Sequence, residues 1–234
     1  MKLALERASL HFDGHAVLDG IDLEVRSGQV LGLVGPNGSG KSSLINVLSG
    51  IYPLSGGRLL IDGADATSWR PPQIVAAGVA RTVQNTRIFG RLTVLDNVRA
   101  VGNGARSAAE ALLEDVGLLD QRHAMASTLG FAQRRRLDLA RALALRPRAL
   151  LLDEPSGTLT AAETDAMIEM LARIALPGRT VVIIEHKINL IAALCPEMAV
   201  LHMGRKIAQG PVAALCDDAL VRAVYFGDRG PVHA

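Results

Sequence analysis

The stretch Gly35-Pro36-Asn37-Gly38-Ser39-Gly40-Lys41-Ser42 constrains the fold most, because it fits the pattern of glycine, four residues, glycine, lysine and serine. Its glycines let successive backbone N–H groups approach one anion closely. Lys41 can reach the β- and γ-phosphates, and the Ser42 hydroxyl can ligate Mg²⁺. An apolar run at residues 30–34 precedes it, and helical spacing begins at Ser43. We therefore predict a nucleotide site formed by Gly35, Pro36, Asn37, Gly38, Ser39, Gly40, Lys41, Ser42 and Ser43.

Composition narrows the class of protein. The 234 residues are 49% hydrophobic, which is enough for the packed core of one large domain. A net charge of +2 from 25 basic and 23 acidic residues leaves no basic block, so we expect no nucleic-acid partner. Cys195 and Cys216 lack metal-binding spacing and fit unpaired core thiols in a reducing cytosol. No apolar stretch approaches the roughly 18 residues of a membrane span. We expect a cytoplasmic protein whose membrane role depends on a partner.

The N-terminal part of the chain predicts an antiparallel layer. Residues 3–12 and the alternating residues 21–25 read as half-exposed strands, with turns at 13–14 and 27–28. Phe12 ends the first of these strands. An aromatic ring shortly before the phosphate loop can stack on adenine, but a phenylalanine in this position fits the core equally well. The residues alone leave both interpretations open.

Two further buried strands each end on a polar side chain. Residues 79–83 are followed by Gln84, and residues 180–184 are followed by Glu185 and His186. The carboxyl ends of parallel strands meet at one edge of a sheet, where ligands bind. We expect Gln84 to reach Mg²⁺ and the attacking water, and His186 to contact the γ-phosphate.

The apolar run at residues 149–152 ends in two acids, Asp153 and Glu154. A buried parallel strand would deliver both carboxylates to its carboxyl end. We expect Asp153 to hold Mg²⁺ through water and Glu154 to orient or deprotonate the hydrolytic water. Ser42, Gln84 and Asp153 are thus the expected metal ligands, and Gln84, Glu154 and His186 the expected catalytic groups.

Between these strands, residues 96–145 show helical periodicity and no convincing strand. The expected fold is α/β: a P-loop NTPase core with a mainly parallel sheet flanked by helices, an antiparallel β layer and an inserted α-helical subdomain. A hairpin near residues 198–208 and an amphipathic helix near 220–226 complete the prediction.

The order of phosphate loop, strand-end Gln84, helical insert, Asp153-Glu154-Pro155 and His186 resembles the ATP-binding cassette (ABC) transporter ATPases over essentially the whole chain. Four stretches are similar to the branched-chain amino-acid import subfamily, which includes urea and amide importers and is close to the lipopolysaccharide-export ATPase. They are RTVQNTRIF at 81–89, LTVLDNV at 92–98, IEHK at 184–187 and VYFG at 224–227.

The resemblance implies one nucleotide-binding domain over residues 1–234. Its α/β core with the antiparallel layer would comprise 1–84 and 147–234, and its helical subdomain 85–146. It implies Mg²⁺-dependent ATP hydrolysis in a head-to-tail dimer that sandwiches two ATP molecules, with Phe12 stacked on adenine. The second ATPase subunit is one implied partner. Integral-membrane permease subunits are further implied partners, and they would bind around residues 84–89 and the helical insert. A periplasmic solute-binding protein is an indirect partner. The expected location is the cytoplasmic face of the membrane.

Two segments depart from the family pattern. The signature Leu-Ser-Gly-Gly-Gln should precede Arg141, where this chain has Leu129-Gly130-Phe131-Ala132-Gln133. Gly130 replaces the serine of the signature. In the family, the hydroxyl of that serine contacts the γ-phosphate bound by the other subunit. Ala132 replaces the last glycine, and Gln133 is retained. Losing such a hydrogen bond in the transition state costs a few kcal/mol. The cross-dimer loop at 156–160 ends in Thr160, where the family usually has Asp or Asn.

Two explanations of these departures stay open. One is tolerated drift, which the retained Gln133 favours. The other is asymmetry, in which the chain pairs with a different ATPase subunit and only the site built from this phosphate loop and the partner's signature turns over quickly.

Other functions are also compatible with parts of the sequence. One alternative is a weakly hydrolysing, nucleotide-gated subunit of a heteromeric ATPase, and another is the ATPase of a lipopolysaccharide-type exporter. The sequence has no coiled coil or zinc insertion of a DNA-repair ATPase and no Asn-Lys-x-Asp segment of a GTPase. It does not identify the solute.

Overall fold

A computed structural model of the chain describes residues 1–84, 86–102 and 104–226. Asn85, within the family-like stretch 81–89, and Gly227, at the end of 224–227, lie outside the described residues. The strands are β1 (Leu3–Phe12), β2 (His15–Val25), β3 (Val30–Val34), β4 (Gly56–Ile61), β5 (Ala64–Asp65), β6 (Val79–Arg81), β7 (Ala149–Asp153), β8 (Thr180–Ile184), β9 (Glu197–His202) and β10 (Arg205–Pro211). The α-helices are α1 (Lys41–Leu48), α2 (Pro71–Ala76), α3 (Val94–Arg99), α4 (Arg106–Asp115), α5 (Phe131–Ala144), α6 (Ala161–Met170), α7 (Ile188–Leu194), α8 (Val212–Asp217) and α9 (Ala219–Phe226). Short 3-10 helices lie at Leu119–Gln121 and Ala126–Thr128, and a π-helical turn at Leu171–Ala175 extends α6.

Six strands form the central sheet in the order β10-β9-β3-β8-β7-β6. The pairs β9–β3, β3–β8, β8–β7 and β7–β6 are parallel, and only β10 runs antiparallel to its neighbour. The buried sequences of β3, β7 and β8, rich in leucine and β-branched residues, are typical of strands covered on both faces. The arrangement brings the carboxyl ends of β3, β6, β7 and β8 to one edge, which is where the predicted chemical groups lie.

A second, antiparallel sheet has the order β2-β1-β4-β5. One hydrophobic core fills the space between this sheet and one face of the parallel sheet, around α1, and contains Leu18, Leu33 and Leu44. The other core lies on the opposite face of the parallel sheet and includes Leu137 of α5, Leu152 and Ile183. The expected α/β fold, with its parallel sheet and antiparallel layer, is confirmed.

The segment between β6 and β7 contains α3, α4 and α5 and no strand among its described residues. The exact boundaries of the helical subdomain, at residues 85 and 146, remain a prediction. No helix in the described parts of the chain is long and apolar enough to cross a membrane. Cys195 is buried, which raises its pKa to about 12, whereas Cys216 is only partly buried and packs against the core.

The strand predicted at residues 79–83 is shorter than expected, because β6 ends at Arg81. The physical reason lies in α5. The Val83 N–H donates to Asp138 at 3.2 Å, and the Val83 carbonyl accepts from Arg135 at 3.0 Å. Side chains of a helix thus satisfy backbone groups that a longer strand would have paired with β7. The strand predicted at 21–25 is longer than expected and begins at His15.

Candidate functional site

The loop 35–42 lies between the end of β3 and the first turn of α1. Gly35 and Gly40 have φ values of 152° and 103°, a backbone region that favours glycine. A Cβ on Gly35 would lie 2.2 Å from the Leu201 carbonyl oxygen, and one on Gly40 would lie 2.8 Å from Leu18 Cδ2. Both positions therefore require glycine for conformation and for space, because β2 and β9 pack directly against the loop.

Lys41 is buried, at 5% exposure, and its ammonium donates to the carbonyls of Gly35 at 2.8 Å and Pro36 at 2.9 Å. Burial lowers the pKa of Lys41, and the charges of Glu154 and Asp153 oppose that shift. The Ser39 hydroxyl is also buried and has no hydrogen-bond partner among the described residues. An unpaired buried donor beside a lysine suits an anionic ligand, since it otherwise carries a desolvation cost.

Glu154 follows β7, and two other predicted residues, Gln84 and His186, both contact its carboxylate. Gln84 Nε2 donates to Glu154 Oε2 at 2.8 Å, and His186 Nε2 lies 2.9 Å from Glu154 Oε1. Glu154 has a φ of 48°, uncommon for a residue other than glycine, and its N–H donates to the Ile184 carbonyl at 3.0 Å. The structure thus brings Gln84, Glu154 and His186 together, with both carboxylate oxygens of Glu154 engaged.

Asp153, the last residue of β7, is 3% exposed. Burial raises the pKa of its carboxyl, and the nearby Arg81 guanidinium opposes that shift. Its Oδ2 accepts from Arg81 at 3.4 Å, but its buried Oδ1 has no partner among the described residues. An orphaned carboxylate oxygen fits a hard cation such as Mg²⁺. The described residues contain no cluster of three His, Cys, Asp or Glu side chains that would hold a metal by themselves.

Sequence reasoning missed Arg81, which links α1 to Asp153. Its Nη1 donates to Asn46 at 2.7 Å and to Ser49 at 2.9 Å, while its Nη2 reaches Asp153. Burial lowers the pKa of Arg81, although Asp153 and Asp138 partly offset this effect. A charged residue within an apolar strand was the signal available in the sequence, because buried arginines are almost always paired.

Arg135 and Asp138, on α5, were also missed. Together they hold both backbone groups of Val83, the residue before Gln84. Burial raises the pKa of Asp138 and lowers that of Arg135. The two side chains lie three residues apart on one face of the helix. They tie the segment carrying Gln84 to the helix that begins at the signature-like turn.

The signature-like turn 129–133 opens α5, with Gly130 as the N-cap at φ −69° and ψ 169°. Gln133 Oε1 accepts from the Gly130 N–H at 2.9 Å, so this side chain caps its own helix. Phe131 is 49% exposed, and its ring lies 5.2 Å from the Arg135 guanidinium carbon. Neither Gly130 nor Ala132 has a polar side chain. Within the described residues, this turn makes no hydrogen bond to the loop 35–42.

Two other predicted contact residues are placed as follows. Thr160 is the N-cap of α6, and its hydroxyl donates to Glu163 at 2.9 Å and accepts from the Glu163 N–H at 3.3 Å. Phe12 is 44% exposed and therefore not a core residue. Its ring packs edge-on against Tyr52, with centroids 5.2 Å apart. In the β1–β2 hairpin, Phe12 pairs with His15. The backbone carbonyl of Val17, two residues after His15, lies close to Gly40 of the loop 35–42.

Comparisons with known proteins give a consistent result. The sequence profile of the ABC transporter family matches residues 18–157. The high-affinity branched-chain amino acid transport ATP-binding protein BraF of Pseudomonas aeruginosa is 31% identical over 249 aligned positions, which cover 97% of this chain and 98% of BraF. The ribose import ATP-binding protein RbsA 1 of Streptomyces avermitilis is 34% identical over 230 positions, covering 94% of this chain but 44% of that protein.

A solved structure agrees with these relatives. The crystal structure of a nucleotide-free ATP-binding cassette from an ABC transporter superposes with a TM-score of 0.88 at 26% identity, and the match covers 97% of this chain and all of the other.

Proposed function

The chain belongs to the ABC transporter family, and from this premise we propose that it is a Mg²⁺-dependent ATPase subunit that powers solute uptake through a membrane permease. The observation that carries the proposal is the arrangement around Glu154. The carboxylate of Glu154 is held between Gln84 and His186, at the sheet edge where the phosphate loop follows β3, and this supports a role in the reaction of a γ-phosphate.

The loop 35–42 is proposed to bind the phosphates of ATP. Its backbone N–H groups and the first turn of α1 supply fixed donors, and the positive end of the helix adds to them. Lys41 exchanges the carbonyls of Gly35 and Pro36 for phosphate oxygens. Ser39, whose hydroxyl has no partner in the described structure, would gain one.

Mg²⁺ would be held by Ser42, Gln84 and Asp153 together with the phosphates. The orphaned Oδ1 of Asp153 is the group that fits it best, and Ser42 is exposed in the first turn of α1. When bound, the ion would neutralise charge on the β- and γ-phosphate oxygens. No cluster of protein carboxylates is required, since magnesium sites of this kind rely on one or two carboxylates plus phosphates.

Glu154 is proposed to orient the attacking water and to accept its proton on a carboxylate oxygen. Water oxygen then forms the bond to the γ-phosphorus as the bond to the β–γ bridging oxygen breaks. The negative charge that leaves with ADP is stabilised by Lys41 and the loop. His186 would hold the γ-phosphate, and Gln84 would orient the water.

The second half of the site is proposed to come from another ATPase subunit. The chain contributes a complete phosphate-loop half, but its signature-like turn has no serine hydroxyl, and the Thr160 hydroxyl is used in the cap of α6. We therefore favour asymmetry, in which the partner's signature completes the fast site. The homodimer remains the alternative.

The solute is proposed to be a small polar molecule, and branched-chain amino acids are the first candidates. The basis is the name of BraF, whose alignment covers 97% of this chain and 98% of BraF. The ribose importer shows that a similar sequence also occurs in a protein named for a sugar. Permease subunits, a solute-binding protein and placement at the cytoplasmic face of the membrane follow from an import role. A weakly hydrolysing regulatory subunit and an exporter ATPase are the alternatives.

Two measurements test the proposal. The purified full chain should hydrolyse ATP only with Mg²⁺, and hydrolysis should rise when the second ATPase subunit is added. Co-purification should recover a permease, and transport of radiolabelled leucine by the reconstituted complex should require ATP. Absence of hydrolysis in every combination would favour the regulatory subunit. Equal hydrolysis by the homodimer and the pair would contradict asymmetry, and ATP-driven efflux would contradict import.

A further inference from the structure

Two side chains that flank His186 both reach the loop 156–160, which follows Glu154. Glu185 lies immediately before the histidine and Lys187 immediately after it. Glu185 bonds to the start of the loop, at the Ser156 N–H, and Lys187 bonds to its end, at the Leu159 carbonyl. The segment carrying His186 is therefore fastened to this loop at both ends.

Glu185 is 2% exposed and forms no ion pair among the described residues. Its Oε1 accepts from the Ser156 N–H at 2.7 Å, and its Oε2 accepts from the N–H groups of His186 at 3.1 Å and Lys187 at 3.5 Å. Burying a carboxylate is costly unless hydrogen bonds compensate it. Here the donors come from two different segments, so the one carboxylate holds both.

Lys187 fixes the other end of the loop. Its Nζ donates to the Leu159 carbonyl at 3.0 Å and to the Thr164 hydroxyl at 2.9 Å. Thr164 is buried, at 1% exposure, and its hydroxyl in turn donates to the Thr160 carbonyl at 2.8 Å. The ammonium thus joins the His186 segment to both the loop and the first turn of α6.

We propose that Glu185 and Lys187 are positioning residues that make His186 and the loop 156–160 move as one body. The inference deepens the proposed function and rests on it for its catalytic consequence. Glu154, between β7 and this loop, has the left-handed φ of 48°, which a rigid surrounding must maintain. Any partner that displaces the loop would move His186 relative to Glu154, and displacements of about 1 Å at such contacts change rates strongly.

Substitution Glu185→Gln tests the link at the start of the loop. An amide keeps one acceptor oxygen, but its NH₂ group would face a backbone N–H where Oε2 or Oε1 accepts now. We expect the ATP turnover number to fall at least 10-fold, while the KM for ATP stays within threefold because Glu185 bonds to none of the residues 35–42. Unchanged turnover in a folded variant would overturn the proposal.

Glu163→Gln is the matched control. Glu163 also accepts hydrogen bonds from the loop, at the Thr160 N–H and hydroxyl, but its contacts do not include the His186 segment. We expect turnover within twofold of the unmodified chain. A loss equal to that of Glu185→Gln would show that any change at the loop is sufficient. It would contradict a specific role for the pair Glu185 and Lys187, here called the clamp.

Lys187→Met provides a second test that does not depend on hydrolysis. Amide hydrogen exchange of the full chain would be compared residue by residue. If the loop and the histidine segment form one body, losing the contact at Leu159 should accelerate exchange by at least 10-fold at the Ser156 amide, which Lys187 does not contact, and at the neighbouring His186 amide. Acceleration confined to residues 159–164 would overturn the proposal.

The two measurements separate the clamp from the proposed function. A chain without ATPase activity whose Ser156 and His186 amides respond to Lys187→Met has the clamp but not the proposed activity. If Glu185→Gln does not fold, the exchange result for Lys187→Met decides alone. Lys187→Arg, which retains a donor, should restore slow exchange at both amides.

Discussion

The phosphate-loop half of the site and the signature-like turn differ in how many polar groups they present. Around the loop 35–42, Lys41, Asp153 and Glu154 are buried or half-buried charged groups held by several hydrogen bonds. The turn at 129–133 presents an exposed phenylalanine and no polar side chain except Gln133, which caps its own helix. We call the surface around the loop 35–42 the equipped surface and the turn 129–133 the depleted turn. A chain with charged, hydrogen-bonded groups at the first and few polar groups at the second fits a dimer of two different ATPase subunits.

The largest expected effect comes from removing the carboxylate at the equipped surface. Glu154→Gln preserves the shape and keeps one acceptor oxygen for the Gln84 amide but does not accept a proton, so ATP turnover should fall by about 10²- to 10⁴-fold. Gel filtration with ATP should then show an accumulated dimer. Turnover within threefold of the unmodified chain would place the catalytic base elsewhere.

Phe12→Ala tests how far the equipped surface extends. Stacking of a base on an aromatic ring is worth about 1–3 kcal/mol, so ATP affinity should weaken by roughly 5- to 150-fold, measured by titration with a fluorescent nucleotide. Phe89→Ala is the control, because that ring is similarly exposed but packs on Arg141. Equal affinities for the two variants would remove Phe12 from the site.

Gly130→Ser tests whether the depleted turn limits the rate. The backbone conformation is ordinary, and the nearest atom to a new Cβ is Gln133 Oε1 at 3.7 Å, so serine fits without rearrangement. Restoring the hydroxyl returns one transition-state hydrogen bond, but the Ala132 methyl remains, so turnover of the homodimer should rise by only about three- to 10-fold. Gly130→Ala adds the Cβ without the hydroxyl and should not increase turnover; an equal increase would attribute the gain to helix stability.

Asp153→Asn provides the smallest expected effect, a change in the stability of the nucleotide-free protein, which is measured separately from the loss of Mg²⁺-dependent turnover expected for a metal ligand. Burial raises the pKa of Asp153 in the folded chain, so its ionisation destabilises the nucleotide-free protein above the folded pKa and not below the unfolded one. The variant should unfold at a higher temperature at pH 8, and the gain should shrink as the pH falls into the carboxylate range. Asp62→Asn should show the opposite sign, because the Lys2 N–H lowers the pKa of Asp62. A pH-independent gain at position 153 would exclude this cause.

Much of the equipped surface was predictable from sequence, because each group follows a buried apolar strand. Asp153 ends β7, while Gln84, Glu154 and His186 come after β6, β7 and β8, and parallel strands carry their carboxyl ends to one edge. The end of β6 was not predictable. It depends on Arg135 and Asp138, which are about 50 residues away in the chain and satisfy Val83 only once α5 has packed.

The roles of Glu185 and Lys187 were likewise hidden in the sequence. Charged residues beside a histidine resemble a solvated turn, and nothing local indicates that Ser156 and Leu159 are their partners. Tertiary contacts decide whether such charges are buried, so their placement needs the folded chain.

The position of Lys41 bears on selectivity for charge. Its ammonium already has two neutral carbonyl acceptors, so a ligand replaces hydrogen bonds instead of adding them, and the net gain from hydrogen bonding alone is small. What the ligand adds is negative charge near a partly desolvated cation. If the loop binds ATP as proposed, the lysine would discriminate between a polyphosphate and a neutral competitor more than it would raise total affinity. Salt should weaken this discrimination only modestly, since buried pairs are screened far less than exposed ones.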